Sequence, residues 1–182
     1  ALLRLDFDEV PRADAAAAVA ALQAGGIELR LLSGDRPARV QRLAAQLGIA
    51  SVQAAATPQD KLAAVRALQA SGRVVAMLGD GINDAPVLAQ ADVSLAMGSG
   101  ADLARHSADA LLLSMQLADV AHAFTLARRT RSVVHQNFVW AAGYNAACIP
   151  LALVGWLPPW LAGLGMALSS LVVVGNALRL AR

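Results

Sequence analysis

The sequence predicts an α/β domain built on a parallel sheet, followed by a two-helix transmembrane hairpin. Three features predict it. Strand-like and helix-like segments alternate through the first 118 residues, which argues for parallel strands joined by crossover helices. The octapeptide Gly79-Asp80-Gly81-Ile82-Asn83-Asp84-Ala85-Pro86 joins an apolar strand pattern to a short helix pattern. It therefore sits at the carboxyl end of a strand, where open α/β sheets place their sites. Residues 132–178, 47 in all, contain no Asp, Glu, Lys or Arg.

The elements follow in order. Residues 2–7 open directly in a strand pattern, and that abruptness suggests a piece of something longer. Residues 13–24 are Ala-rich and read as a helix closed by Gly25-Gly26. Residues 27–32 read as a strand and 36–47 as a helix. A short strand falls near Val52, and residues 60–70 read as a helix. Residues 73–78 form a strand whose apolar run, Val74-Val75-Ala76-Met77-Leu78, has the character of a buried parallel strand. A short helix follows over 83–90. Short strands at 93–96 and 110–113 flank a small helix near 102–106.

Beyond them, residues 117–131 read as a helix ending in Arg128, Arg129 and Arg131. Residues 133–154 are 22 residues without a formal charge. Gly155-Trp156-Leu157-Pro158-Pro159 then breaks the helix, and residues 160–178 give 19 more uncharged positions. Both lengths suit a bilayer core, which takes about 20 residues of helix. Trp156 and Trp160 flank the turn as interfacial aromatics do. The expected division is a sheet domain over 1–118, a connecting helix over 119–132 and two transmembrane helices over 133–182.

Composition agrees. Hydrophobic residues make up 57% and mean hydropathy is +0.52, too apolar for an ordinary soluble domain. The net charge of +2 hides a split. Residues 1–118 carry ten basic and twelve acidic groups, whereas residues 119–182 carry five Arg and one Asp. The basic tail reads as a membrane-surface flank, with no nucleic-acid face. Arginines stand at both ends of the hairpin, and the positive-inside rule puts that side, with the sheet domain, in the cytoplasm. The single cysteine, Cys148, excludes an internal disulfide framework and a CxxC site within these residues.

Three sequence features carry chemistry. In the octapeptide, Gly79 and Gly81 let the backbone turn tightly around Asp80, and Asp84 adds a second carboxylate a helical turn later. Carboxylates so placed suit Mg²⁺, which prefers a few oxygens and keeps its waters. Ser33-Gly34-Asp35 offers a hydroxyl and backbone amides at a strand end, suited to a phosphate oxygen or to an ordinary helix N-cap. Thr57-Pro58-Gln59-Asp60-Lys61 opens a helix. Lys61 is the only lysine beside fourteen arginines; it is a compact charge for a phosphate, or a lone surface lysine.

In this order, hydroxyl-Gly-Asp, then Lys, then Gly-Asp-Gly-x-Asn-Asp, the chain resembles the haloacid-dehalogenase-like phosphorylation domain of P-type ATPases. Those enzymes form an aspartyl-phosphate and use it to drive ion transport. The resemblance implies that Ser33, Gly34 and Asp35 contact the phosphoryl group and that Lys61 neutralises it. It also implies that Asp80 holds Mg²⁺ and that Asn83 and Asp84 support the site. Serine stands at 33 where the family more often has threonine, and the hydroxyl survives. The family's nucleophilic Asp-Lys-Thr-Gly-Thr segment is not among these residues, nor is the domain that binds ATP. Asp6 and Asp8 lack the residues that would follow such a nucleophile.

The hairpin bears on the ion. Met166, Ser169 and Ser170 fall at i, i+3 and i+4, and Tyr144 and Asn145 sit mid-span in the other helix. Polar groups at that depth line an interior path or pack helices closely. A thioether favours Cu(I). Tyr-Asn in one span and Met-x-x-Ser-Ser in the last resemble the Cu(I)-transporting branch of the heavy-metal ATPases. The 158–180 pattern is most similar to the bacterial pumps linked to cytochrome oxidase assembly. That resemblance makes Tyr144, Asn145, Met166, Ser169 and Ser170 copper-path positions. It implies ATP and Mg²⁺ as cofactors, a bacterial plasma-membrane location, and a copper chaperone or periplasmic acceptor as partner. Cys148, at i+4 from Tyr144, is either a further Cu(I) contact or a small packing residue. His106, His122 and His135 have no ligand spacing. A soluble phosphatase of the same superfamily and a non-catalytic membrane-anchored fragment are the alternatives.

Overall fold

The computed structural model describes residues 11–79, 84–97 and 108–181. The chain divides into two units, Ala1–His122 and Ala123–Arg182. The first contains five parallel strands and four helices among the described residues: α1 (Ala15–Ala24), β1 (Arg30–Leu32), α2 (Pro37–Leu47), β2 (Ser51–Gln53), α3 (Pro58–Ala70), β3 (Ala76–Gly79), α4 (Ala85–Gln90), β4 (Val93–Met97) and β5 (Ala110–Leu112). This is the alternation read from the sequence, with strand ends trimmed by a few residues. The expected strand at 2–7 and the small helix near 102–106 lie outside the described residues.

The strands form two sheets. β1 pairs with β2 in parallel, Leu31 opposite Val52. β3, β4 and β5 pair in that order, also in parallel, with Leu78 opposite Leu95 and Ala96 opposite Leu111. Ion pairs complement the ladders. Glu28, just before β1, meets Arg73, just before β3, at 2.7 Å, and two guanidinium hydrogen bonds hold its carboxyl below the usual carboxylate range. Between β4 and β5, the Asp109 carboxylate accepts from both the amide and the hydroxyl of buried Ser94, at 2.8 Å each.

The core forms where small helices meet the sheets. Val87 and Leu88 of α4 are fully buried, and Ala96 of β4 and Val65 of α3 are buried with them in the apolar core. α2 closes at Gly48, whose φ of +70° is the left-handed cap that glycine supplies without strain. Gln69 and Gln90 tie α3 to α4: the Gln90 amide donates to Gln69 Oε1 at 3.0 Å, and the Gln69 amide donates to the Gln90 carbonyl at 2.9 Å.

α5 (Ala118–Leu153) is one continuous helix of 36 residues where the sequence suggested a connecting helix and a separate span. Ser132 does not interrupt it, because a single serine costs a helix little. Pro150 lies inside the helix, one turn before its end. Gly155, at φ +79°, and Pro158 make the turn, and α6 (Pro159–Ala177) starts with proline in its first turn before a short 3₁₀ segment, Leu178–Leu180.

Within the second unit the inward positions of α5 are Val133, Asn137, Ala141, Tyr144 and Cys148, and those of α6 are Ala162, Gly165, Ser169, Val173 and Asn176. Spacings of three and four on both helices mark a coiled-coil-like seam. The residues from Pro159 to Leu180 are long and apolar enough to cross a membrane, with mean hydropathy 1.8. The uncharged half of α5 falls short of that measure because it holds His135, Gln136, Asn137, Tyr144 and Asn145.

Candidate active site and ion path

The first site builds at the carboxyl ends of β1, β2 and β3. β1 delivers Ser33, whose amide donates to the Gln53 carbonyl of β2 at 3.0 Å. The loops after β1 and β2 then bind each other, as Ala56 N–H donates to Ser33 O and Ala55 N–H donates to Asp35 O, both at 2.9 Å. The Ser33 hydroxyl oxygen accepts from the Asp35 amide at 3.2 Å, and the Asp35 carboxylate accepts from the Arg36 amide at 2.7 Å. Ser33-Gly34-Asp35 is thus a closed turn. Its hydroxyl stands at the strand end, and Asp35 is spent in part on opening α2.

The second loop places Lys61. Thr57 caps α3, and Asp60 completes the reciprocal box: Thr57 Oγ1 accepts from the Asp60 amide, while Asp60 Oδ2 accepts from the Thr57 amide and hydroxyl. These bonds hold the Asp60 carboxyl below its ordinary range. With the first turn fixed, Lys61 points across to α4. Its Nζ meets Asp84 Oδ1 at 2.7 Å, and the two side chains are 14% and 13% exposed.

Asp84 stands at the N-cap of α4, and its carbonyl accepts from Val87 and Leu88. Its side chain leaves that cap and leans over the end of β3. A Cβ added to Gly79 would lie 3.2 Å from both Asp84 Cβ and Asp84 Oδ2, so the glycine makes room for the carboxylate. One oxygen of Asp84 thus takes the ammonium, while the other lies beside the residue that precedes Asp80. Asp80, Gly81 and Asn83 lie outside the described residues.

The structure therefore brings Lys61 and Asp84 together, and it brings the Ser33 turn against the loop that starts the lysine's helix. Sequence reading missed the Lys61–Asp84 contact and the role of Asp60. The Thr-x-x-Asp spacing at 57–60 was the available signal for the second. Chemically the arrangement offers a nearly buried cation, a hydroxyl and helix N-terminal amides where strands end, which suits an anionic oxygen. The neighbouring side-chain donors are hard oxygens, which fit Mg²⁺ and would not fit a soft metal.

The second site lies in the hairpin. Tyr144 is half-buried against α6, its hydroxyl directed to the Ala162 carbonyl at 3.5 Å. A Cβ on Gly165 would stand 2.6 Å from that hydroxyl oxygen, so the glycine makes room for the hydroxyl. Ser169 turns inward and accepts from Trp140 Nε1 at 3.0 Å. Asn145, Met166 and Ser170 are exposed, Met166 at 63%, and the Ser170 hydroxyl donates back to the Met166 carbonyl at 3.0 Å.

Helix geometry relates these three. In two antiparallel helices, the residue after an inward-facing one turns about 100° to the same flank on both. Asn145 follows Tyr144, Met166 follows Gly165 and Ser170 follows Ser169, so an amide, a thioether and a hydroxyl share one flank. The structure thus splits the five positions into an inward pair, Tyr144 and Ser169, and an outward trio. Cys148 lies on the inward seam, half-buried. Gly165 escaped the sequence reading; its signal was a second glycine two residues after Gly163 in an apolar helix.

Comparison with known proteins places the chain. A family model described as haloacid dehalogenase-like hydrolase matches residues 3–92. A probable copper-exporting P-type ATPase of Mycobacterium tuberculosis is 48% identical over 169 residues, covering 93% of this chain and 22% of that protein. The copper-exporting P-type ATPase of Bacillus subtilis is 45% identical, over 90% of this chain and 20% of its own length. The chain thus spans about a fifth of the length of these relatives. Among solved structures, a zinc-transporting PIB-type ATPase in an E2.Pi state matches with a TM-score of 0.88 at 38% identity, covering 96% of this chain and 28% of the other. A deoxy-D-mannose-octulosonate 8-phosphate phosphatase of Haemophilus influenzae, 19% identical with a TM-score of 0.58, shares the fold.

Proposed function

This chain belongs to the heavy-metal P-type ATPases, and on that premise we propose that it is the part of a Cu(I) exporter that holds the phosphoryl group and closes the metal path. It carries the family's sheet fold, and it is a membrane protein. The observation that supports copper most directly is the flank of Asn145, Met166 and Ser170. It offers sulfur, amide and hydroxyl, in a hairpin where residues 132–178 hold no carboxylate. A thioether among neutral oxygen donors suits a soft monovalent ion better than Zn²⁺.

In the sheet unit, Ser33 and the amides of its turn would receive phosphoryl oxygens. Lys61 would offset their charge. Asp84 holds the lysine in place. Asp80 would hold Mg²⁺, with Gly79 and Gly81 giving the backbone clearance and Asn83 beside them. When bound, the ion neutralises charge on the phosphoryl oxygens. The nucleophilic aspartate and the ATP site would come from parts of the protein outside these 182 residues. The two helices would form a hairpin whose arginine-bearing ends lie on the cytoplasmic side with the sheet. Cu(I) would be delivered by a copper chaperone or passed on to a periplasmic acceptor.

The test uses the complete transporter in vesicles. Asp80→Ala abolishes Mg²⁺-dependent ATP hydrolysis and leaves Cu(I) binding at the wild-type level. Met166→Ala does the reverse: it weakens Cu(I) binding and spares phosphoenzyme formation from inorganic phosphate. Turnover retained in Asp80→Ala, or stimulation of the wild type by Zn²⁺ in preference to Cu(I), contradicts the assignment.

A further inference from the structure

The second unit holds five arginines, Arg128, Arg129, Arg131, Arg179 and Arg182, and neither Asp nor Glu. Arg128, Arg129, Arg131 and Arg179 flank the same end of the hairpin, because the two helices run antiparallel. Arg129 lies one turn before the inward residue Val133 and donates from Nη2 to the carbonyl of Arg179 at 2.8 Å. Arg179 donates from Nη1 to Asn176 Oδ1 at 3.0 Å. The Asn176 amide in turn donates to Asn137 Oδ1 at 2.9 Å and to Gln136 Oε1 at 3.2 Å. Neutral carbonyls and amides therefore tether two like charges side by side, with no carboxylate in the unit to balance them.

A guanidinium has five N–H donors in a planar fork that matches phosphate oxygens. The tethers above use only part of that supply. Near the same end of the hairpin, Leu126, Val134 and Leu178 are exposed, at 49%, 44% and 62%. A ligand that satisfies both features carries an anionic phosphodiester next to hydrocarbon. We propose that Arg129 and Arg179, held by the Asn176–Asn137–Gln136 network, form a headgroup site for an anionic phospholipid. Arg128, stacked over Phe124 at 4.7 Å to the ring centroid, and Arg131 supply the surrounding positive field. The inference rests on the membrane hairpin read above. It goes beyond general attraction to an anionic surface by naming two arginines whose forks are aimed by a hydrogen-bonded network.

The complete protein is reconstituted in phosphatidylcholine vesicles with and without phosphatidylglycerol. It is then extracted in detergent, and the lipids that stay with it are weighed by mass spectrometry. The wild type retains phosphatidylglycerol well above its mole fraction. Arg129→Gln with Arg179→Gln lowers that enrichment by about 25-fold, from about five-fold per arginine at an anionic surface. Arg129→Lys with Arg179→Lys keeps the charge but not the planar fork, so its enrichment falls between that of the wild type and the double Gln variant; enrichment equal to the wild type's shows general attraction alone and overturns the aimed site. Wild-type enrichment in the double Gln variant, equal retention of phosphatidylcholine, or displacement of the lipid by millimolar inorganic phosphate overturns the proposal. Resistance to alkaline carbonate extraction from pure phosphatidylcholine vesicles tests the hairpin separately. Extraction there defeats the membrane reading, whereas resistance without lipid selectivity defeats the headgroup site alone.

Discussion

Lys61 and Asp84 form the contact on which the proposed phosphoryl site turns, and a double-mutant cycle separates its two possible duties. The pair meets at 2.7 Å with both side chains about one-seventh exposed. Removing one member of a fully buried pair costs about 3–5 kcal/mol, mostly because the other charge is left without a partner. The residual exposure lets water relieve part of that, so Lys61→Met and Asp84→Asn should each cost about 2–3 kcal/mol. The double variant leaves no orphan charge. It should cost no more than either single one, a coupling of about 2–3 kcal/mol. Hydrogen exchange of the α3 and α4 amides in the complete protein reads these energies locally. Phosphoenzyme formation from inorganic phosphate reads the chemistry. Lys61→Met should lower it by about 100-fold or more, as loss of one placed donor at a developing charge does. The double variant should recover stability without recovering phosphorylation. Additive stabilities, within about 0.5 kcal/mol, would refute the pair. Recovered phosphorylation would show that the lysine serves only to balance Asp84.

Two further perturbations follow from the geometry. Gly165→Ala sets a Cβ 2.6 Å from the Tyr144 hydroxyl oxygen, and overpacking of this kind costs about 1–3 kcal/mol. In a Tyr144→Phe background the nearest ring atom is 3.5 Å away, so the penalty should vanish when thermal stability is compared in detergent. A penalty that persists in Tyr144→Phe rejects the close approach. Asp109 is held below its ordinary value of 3.8 by the Ser94 amide first and the Ser94 hydroxyl second. A depressed carboxyl stabilises the fold fully above its unfolded value and loses that contribution as pH falls through the lower folded one. Urea midpoints should therefore drop below about pH 4 in the wild type. They should drop less steeply in Asp109→Asn, which starts lower at neutral pH; parallel pH profiles would contradict the bond.

Much of the candidate site was legible in the residues themselves. Gly79-Asp80-Gly81 after an apolar run and Ser33-Gly34-Asp35 after another mark strand ends, because backbone turns at a ligand need glycine and small polar groups. Lys61 stood out as the single lysine. What could not be read is who touches whom. Asp84 and Lys61 lie 23 residues apart, and nothing local in either segment announces the pair. The capping box that aims Lys61 was written in Thr57 and Asp60, and it acquires its purpose only when α3 lies beside α4.

The hairpin shows the same division. The sequence showed a run of 47 residues without a formal charge, interrupted by a Gly-Pro turn, which suits helices removed from water; among the described residues, Pro159 to Leu180 is the helix long and apolar enough to cross a membrane. The sequence also determined which donors each helix carries, because helical period follows from chain geometry alone. Tertiary structure decided which of those donors face the seam and which face outward. That choice is set by how closely two backbones approach, and here Gly165 makes room for the Tyr144 hydroxyl at the seam, while Asn145, Met166 and Ser170 fall on a common flank.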